Sequence, residues 1–334
     1  MTTAHLLVIL IVIVALVFDY TNGFHDAANA IATTVATKAV KAKTALAIAA
    51  LGNLVGAFLS EGVAKTVGKG IIDVEASNSG LVVVMAALLG AIAWNLLTWW
   101  RGLPSSSSHA LIGGLVGAAL ASGELVHWAG VIEKVAIPMV ISPLVGISGA
   151  FLLTLLLQWI FRNAKRSRVG HGFRVTQVAA ATAMSVGHGL QDAQKTMGVI
   201  TLSLVVGGMH SGDSIPVWVK VAAAAAISLG TYAGGWRIMK TLGKRMVEID
   251  PIRGVASQTV ASTVLFFMAI HLKAPISTTH TITSSIIGAG ATRGPKWVRW
   301  GVVRNIVTAW VLTLPAAAAC GAFFYFVFQF LGMP

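Results

Sequence analysis

Long apolar runs separated by short basic stretches set the pattern of this chain. A helix needs about 20 residues to cross a bilayer. Runs of that order, or a little shorter, are His5–Thr37, Thr44–Ser60, Leu81–Trp100, Val131–Phe161, Val175–Met209, Ile215–Trp236, Val255–Leu272 and Val298–Phe330. A membrane β-barrel would read as short alternating segments. Continuous runs predict helices instead, because a helix satisfies every backbone polar group within itself. His5–Thr37, Val131–Phe161 and Val175–Met209 exceed one straight crossing and are expected to be broken, tilted or partly re-entrant. Pro138 and Pro143 would kink the second, since proline removes a backbone donor.

Two further segments begin with a proline and a run of hydroxyls. One is Gly102-Leu103-Pro104-Ser105-Ser106-Ser107-Ser108-His109, followed by the apolar stretch Ala110–Ala121. The other is Lys273-Ala274-Pro275-Ile276-Ser277-Thr278-Thr279-His280, followed by Thr281–Gly290. Each apolar stretch is too short to span alone. Both read as half-helices in broken or hairpin elements.

Composition agrees with this pattern. Of 334 residues, 56% are hydrophobic and 10% charged, and the mean hydropathy is +0.81. Soluble domains carry about 25% charged residues. The net charge of +13 does not indicate nucleic acid, because the basic residues cluster in short loops between apolar spans, as the positive-inside rule requires. A single cysteine, Cys320, excludes a disulfide framework and a thiolate metal cluster. The N-terminal run has no small-residue cleavage site and is expected to be the first span rather than a signal peptide.

A motif occurs twice: Gly23-Phe24-His25-Asp26-Ala27-Ala28-Asn29-Ala30 and Gly189-Leu190-Gln191-Asp192-Ala193-Gln194-Lys195-Thr196. Asp26 answers to Asp192, and Pro104 and His109 answer to Pro275 and His280. The chain therefore divides into a repeat over 1–161, a basic linker over 162–174 and a second repeat over 175–334. The basic loops Lys38–Lys43, Arg162–Arg174, Arg237–Arg253 and Arg293–Arg304 are placed in the cytoplasm. The segments around Asp73-Val74-Glu75, Glu124 and Asp213 are then outside. Five crossings per half would invert the second repeat relative to the first. The expected fold is an all-α polytopic membrane protein of two inverted repeats, with broken or re-entrant segments and about 10–12 transmembrane segments.

The hydroxyl runs suggest an anion site. Helix starts offer free N–H groups and a positive dipole end, and hydroxyls add donors without charge. Simple capping by Ser or Thr is the alternative for either run alone, but matched occurrence in broken helices points to a binding site. His109 and His280 follow the runs as packing residues or pH-sensitive groups. Asp26 and Asn29 share a helix face and can serve a hard cation or a proton. Asp192 instead has Lys195 at the i+3 position, which either stands in for a cation or forms a structural buried pair. Gln191 and Gln194 add uncharged polar contacts. Asp19 and Asn22 are helix caps or further site residues. Asn53, Asn95 and Gln158 are expected to form interhelical hydrogen bonds. No nucleophile–base constellation and no His-Glu-x-x-His spacing suggests an enzyme. An anion channel would need a continuous lined pore, which the paired broken-helix signature does not favour.

The duplicated motifs together resemble the inorganic phosphate transporter family often called PiT, with its Gly-x-Asn-Asp-x-x-Asn signature in each half. His25 stands for the first Asn in one copy, and Gln191 and Lys195 replace both in the other. The resemblance implies symport of inorganic phosphate with Na⁺ or H⁺. It implies phosphate binding by Ser106, Ser107, Ser108, Ser277, Thr278 and Thr279. Asp26, Asn29, Asp192, Lys195 and Gln191 would form the ion-coupling site, with His109 and His280 proton-linked. Lys195 tells against a symmetric pair of Na⁺ sites, so H⁺ coupling or a single cation site is expected. Bacterial members of this kind suggest a divalent metal travelling with phosphate, and a homodimer is compatible with the reading. No cofactor is expected, and the expected location is a prokaryotic plasma membrane. Sulfate is the competing substrate.

Overall fold

The apolar runs fold as helices throughout the computed structural model, which describes residues 3–212 and 214–333. In chain order they are α1 (Thr3–Ala36), α2 (Ala42–Gly56), α3 (Gly62–Lys69), α4 (Asn78–Arg101), α5 (Ser107–Ser122), α6 (Trp128–Val131), α7 (Ile137–Ile160), α8 (Arg166–Val206), α9 (Val217–Ala233), α10 (Trp236–Lys240), α11 (Pro251–Ile270), α12 (Thr278–Ala291) and α13 (Trp300–Phe330). A two-residue ribbon pairs β1 (Ile72–Asp73) antiparallel with β2 (Leu125–Val126). Among the described residues five helical stretches are long and apolar enough to cross a membrane. A sixth is the bent pair Val217–Ala233 and Trp236–Arg245, which turns by 57°. The turn falls at Gly234, whose φ of +82° favours glycine. Asp213, expected in an outer loop, lies outside the described residues.

Several expectations change. The His5–Thr37 run is one unbroken helix of 34 residues, and Val175–Met209 belongs to one of 41 residues. At about 1.5 Å per residue both exceed a hydrocarbon core of about 30 Å, so of the expected alternatives the break is absent and tilt or projection accommodates the length. Neither contains proline, and Asp26 and Asn29 on α1 and Gln177 and His188 on α8 bond sideways to neighbouring helices. The expected linker over 162–174 is helical from Arg166 onward, as the start of α8. In the Val131–Phe161 run the irregularity is a π turn at Ile132–Ala136. Pro138 sits in the first turn of α7, where its missing N–H costs little, and the helix continues through Pro143.

Helices α1 and α8 carry the two motif copies, and α5 and α12 begin at the two hydroxyl runs. They pack on helices of the other half, with α1 packing on α9, α2 on α8, α5 on α13 and α12 on α7. The motif glycines make these contacts close. A Cβ on Gly23 would strike the Ile227 carbonyl of α9, and one on Gly189 would strike the Asn53 backbone of α2. In the other pair, Gly117 backs onto Ala318 and Gly288 onto Ile147. Small residues let membrane helices approach in this way where lipid supplies no hydrophobic drive.

Candidate functional site

Two short helices begin in the buried middle of the molecule. Ser106 caps α5 by accepting from the His109 N–H at 3.2 Å. Ser277 caps α12 by accepting from the His280 N–H at 3.1 Å. These two side chains set the helix starts, each keeping its own hydroxyl proton to donate. The first N–H groups of each helix have no acceptor within it. Both starts follow a left-handed residue at the same offset before the proline, Gly102 with φ +66° and Lys273 with φ +52°. Both carbonyls accept a threonine hydroxyl, Gly102 from Thr241 at 2.9 Å and Lys273 from Thr66 at 2.7 Å. The segments entering the two helix starts are thus built alike from different neighbours.

The remaining hydroxyls converge on the motif acids. Asp26 accepts from Ser107 at 3.1 Å and from Thr279 at 3.3 Å, so one carboxylate holds both helix starts. Asn29 donates to Thr279 at 2.9 Å and Thr278 at 3.4 Å. Thr278 donates to Asp192 at 3.3 Å. Lys195 donates to Asp192, to Ser108 and, at 3.2 Å, to the Ile276 carbonyl. A carboxylate, a hydroxyl and a carbonyl around one ammonium form the kind of oxygen set that a hard cation takes. Gln191 lies beside this group, its amide donating to the Leu265 and Ala274 carbonyls at 3.3 and 3.4 Å and accepting from the Ile276 N–H at 3.4 Å. Gln194 points elsewhere and accepts from the N–H groups of Val63 and Ala64 at the start of α3.

Two histidines outside the expected site complete it. His25 Nδ1 lies 2.6 Å from Asp26, and its Nε2 lies 3.2 Å from Thr98 and 3.3 Å from Ser105. His188 Nε2 lies 3.1 Å from Asp192 and 3.9 Å from Asp26, between the two acids. Its Nδ1 meets Asn53 at 3.0 Å, and Asn53 donates to Thr231 at 2.7 Å. The i to i+4 spacing from His188 to Asp192 was the available signal, since such residues share a helix face. Asp26, His188 and Asp192 bring ligand-type atoms within 4.8 Å of one another. Asp26 and Asp192 each accept hydroxyl bonds, while His188 Nε2 stands between them without a hydrogen-bond partner. Buried acids repel when close, and the imidazole between them with the ammonium beside Asp192 offsets that repulsion.

His109 and His280 face each other behind the helix starts, with ring centroids 4.8 Å apart. His280 also stacks on Trp310 at 4.0 Å, and Trp310 donates to the Pro104 carbonyl at 3.0 Å. Their ring contacts are packing contacts. Asn95 is buried with neither amide atom bonded, so its expected interhelical bond does not form.

Comparison with known proteins places this geometry. A family model described as "Phosphate transporter family" matches residues 22–321, spanning both motif copies and both helix starts. A Bacillus subtilis (strain 168) protein named "Probable low-affinity inorganic phosphate transporter" is 45% identical over 330 residues, covering 98% of each chain. A relative of the same name from Rhizobium meliloti (strain 1021) is 47% identical over 333 residues, covering 97% of each. A solved structure titled "The sodium-dependent phosphate transporter" superposes with a TM-score of 0.86 at 23% identity, covering 97% of this chain and 99% of that one. These relatives are transporters, not enzymes. The chain, a multi-pass helical membrane protein, belongs to the phosphate transporter family.

Proposed function

We propose that the protein is a secondary transporter that imports inorganic phosphate across the plasma membrane by cation symport, with H⁺ as the favoured coupling ion. The observation that carries this reading is Asp26, which accepts hydroxyl bonds from Ser107 of one half and Thr279 of the other. Donors from both helix starts therefore point at one place. A tetrahedral oxyanion there takes bonds from Ser107, Ser108, Thr278 and Thr279 and from the free N–H groups of α5 and α12. Ser106 and Ser277 hold those helix starts and add their own hydroxyl protons.

Phosphate keeps a proton near neutral pH and can donate it to Asp26. Sulfate has none to donate. Alternating access follows from relative motion of the two repeats, 1–161 and 175–334, around this site. The repeats would be inverted, with each helix start contributed by one of them.

Lys195 supports H⁺ over a pair of Na⁺ ions, since its ammonium takes three oxygen donors near Asp192 that a second Na⁺ would require. Coupling then acts on the Asp26–Asn29 side. One atom favours a Na⁺-coupled reading instead: Asn29 Oδ1 is buried and has no hydrogen-bond partner, as a ligand for a single cation beside Asp26 would be. The solved relative's title also names sodium.

Uptake of labelled phosphate into proteoliposomes, under separately imposed H⁺ and Na⁺ gradients, tests the proposal. The expected result is accumulation driven by an inward proton gradient without Na⁺, and weak inhibition by sulfate. Varying Mg²⁺ reads whether a metal–phosphate complex is the species carried. Strict Na⁺ dependence with no response to a proton gradient would select the second reading. Absence of phosphate uptake under either gradient would sink both.

A further inference from the structure

Three carboxylates are fully buried among the described residues: Asp19, Asp26 and Asp192. Asp26 and Asp192 are held by hydroxyls, imidazoles and an ammonium, as described above. Asp19 is not. Both of its oxygens are buried without a hydrogen-bond partner. It lies two turns before Asp26 on α1, and the spacing Asp19, Asn22, Asp26, Asn29 lines one face of that helix.

The surroundings of Asp19 are equally unpartnered. Asn22 has neither amide atom bonded, and the Thr196 hydroxyl faces the Asp19 carboxylate from beyond ordinary hydrogen-bond distance. Asn95 of α4 belongs to the same level. Thr98 touches His25, and Asn95 precedes Thr98 by one turn as Asn22 precedes His25. The two helices run side by side, sharing a core of Val8, Ile11, Ala15 and Phe18 with Leu81–Leu88. Neither the amide of Asn22 nor the hydroxyl of Thr196 satisfies this buried carboxylate at ordinary hydrogen-bond distance.

We infer that Asp19 is a proton-binding site of the transport cycle, distinct from the anion site and placed on the α1 face that leads to Asp26. The inference rests on the symport reading above and names the group that takes the coupling ion. An ionised carboxylate with no partner is expensive in a buried site and neutralises instead. The step is the reversible addition of one proton to a carboxylate oxygen, with no other bond made or broken. A metal cation is the less favoured occupant. The charged groups that face Asp19 are Asp192, His188 and Lys195, all on α8. A proton needs only one carboxylate oxygen and no room, whereas a metal cation needs several oxygen ligands arranged around it. On its own helix the nearby titratable groups are the exposed Tyr20 and His25 and Asp26, already paired with each other. The titratable group of α4 is Arg101, at its C-terminal end. The titratable groups of α2, α9 and α10 sit near their helix ends: Lys43 on α2, Lys220 and Tyr232 on α9, and Arg237 and Lys240 on α10. Those of α11 and α12 are Arg253 and His280.

The test uses the full-length protein in two settings. In proteoliposomes, Asp19→Asn is expected to lose at least tenfold of the phosphate accumulation driven by an inward proton gradient, whereas Asp19→Glu keeps that response with a shifted pH midpoint. In nanodiscs, infrared difference spectra between acid and alkaline pH are expected to contain the carbonyl stretch of a buried carboxylic acid. That band should vanish in Asp19→Asn and move in Asp19→Glu, which also controls for folding. An Asp19→Asn protein that still accumulates phosphate on a proton gradient, or a band that survives it, overturns the inference. So does loss of a Na⁺ response in place of the proton response. Wild-type vesicles that take up phosphate but ignore the pH gradient sink the inference and leave phosphate transport standing. Wild-type vesicles that take up no phosphate sink both.

Discussion

Lys195 is the residue at which the two motif copies part, and its environment fixes what its removal should do. Its ammonium is buried with the Asp192 carboxylate. Breaking a buried pair from one side leaves an uncompensated charge and costs about 3–5 kcal/mol. Lys195→Met is therefore expected to lower thermal stability sharply in detergent, and adding Asp192→Asn should restore most of the loss. A fully additive double mutant would mean that the two side chains do not act as a pair. Asp26 gives a different outcome. Its oxygens gather both helix starts, so Asp26→Asn should abolish gradient-driven phosphate uptake while the protein still inserts and purifies. Wild-type uptake rates in that variant would remove Asp26 from the mechanism. The acids and hydroxyls stood out because they recur at matched spacing in a long apolar chain, and Lys195 because it breaks that recurrence where the first copy has Asn29. His188 left only its i to i+4 spacing to Asp192 as a signal, because its other partner, Asn53, lies on α2 and only the folded contact between α2 and α8 joins them.

Among the elements, the paired helix starts were legible and the continuity of the long helices was not. A proline followed by hydroxyls announces a helix start locally, and both starts lie where the spacing put them. Whether a 34-residue run with Asp19, Asn22, Gly23 and Asp26 breaks depends instead on lateral partners, which local sequence does not contain. Gly23 is the example. In isolation it weakens a helix, but here it lets α1 meet the α9 backbone. Gly23→Leu would force the two backbones apart, and overpacking of this kind costs about 1–3 kcal/mol or more. The expected result is a lower unfolding temperature and reduced expression, with Gly23→Ala milder. Lys273 offers the opposite test. It holds a left-handed backbone at φ +52°, a conformation that costs a non-glycine residue about 1–2 kcal/mol. Its counterpart is Gly102. Lys273→Gly should therefore hold or raise stability in a thermal unfolding assay, despite the added freedom of the unfolded chain. A clear loss of stability would show that packing of the lysine stem against Gly62 outweighs the backbone strain.

At the scale of the whole molecule, charge separates along its length. At one end β1 pairs with β2, and the Glu75 N–H meets the Glu124 carboxylate at 3.3 Å. At the other, Arg237 caps the Trp100 carbonyl at 2.6 Å, and Val247 bridges to Val298. Arg162 there lines one cavity with Asp250, Arg253 and Arg293. Basic loops from both halves thus gather at one end, as the positive-inside rule requires if that end faces the cytoplasm. This arrangement makes topology a test of the inverted repeat. Cys320 is the only cysteine, so a Cys320→Ala background permits single-cysteine labelling in intact cells and in inside-out vesicles. Cysteines at Lys41, Arg162, Arg237 and Arg293 should react with an impermeant maleimide only in inside-out vesicles. Cysteines at Glu75 and Glu124 should react only in intact cells. Labelling of Lys41 and Arg162 from opposite sides would change the number of crossings in the first half, and the second repeat would then not be inverted. Labelling as expected would give α5 and α12, which enter the same buried site, opposite histories across the membrane, the arrangement that lets one site open first to one side and then to the other.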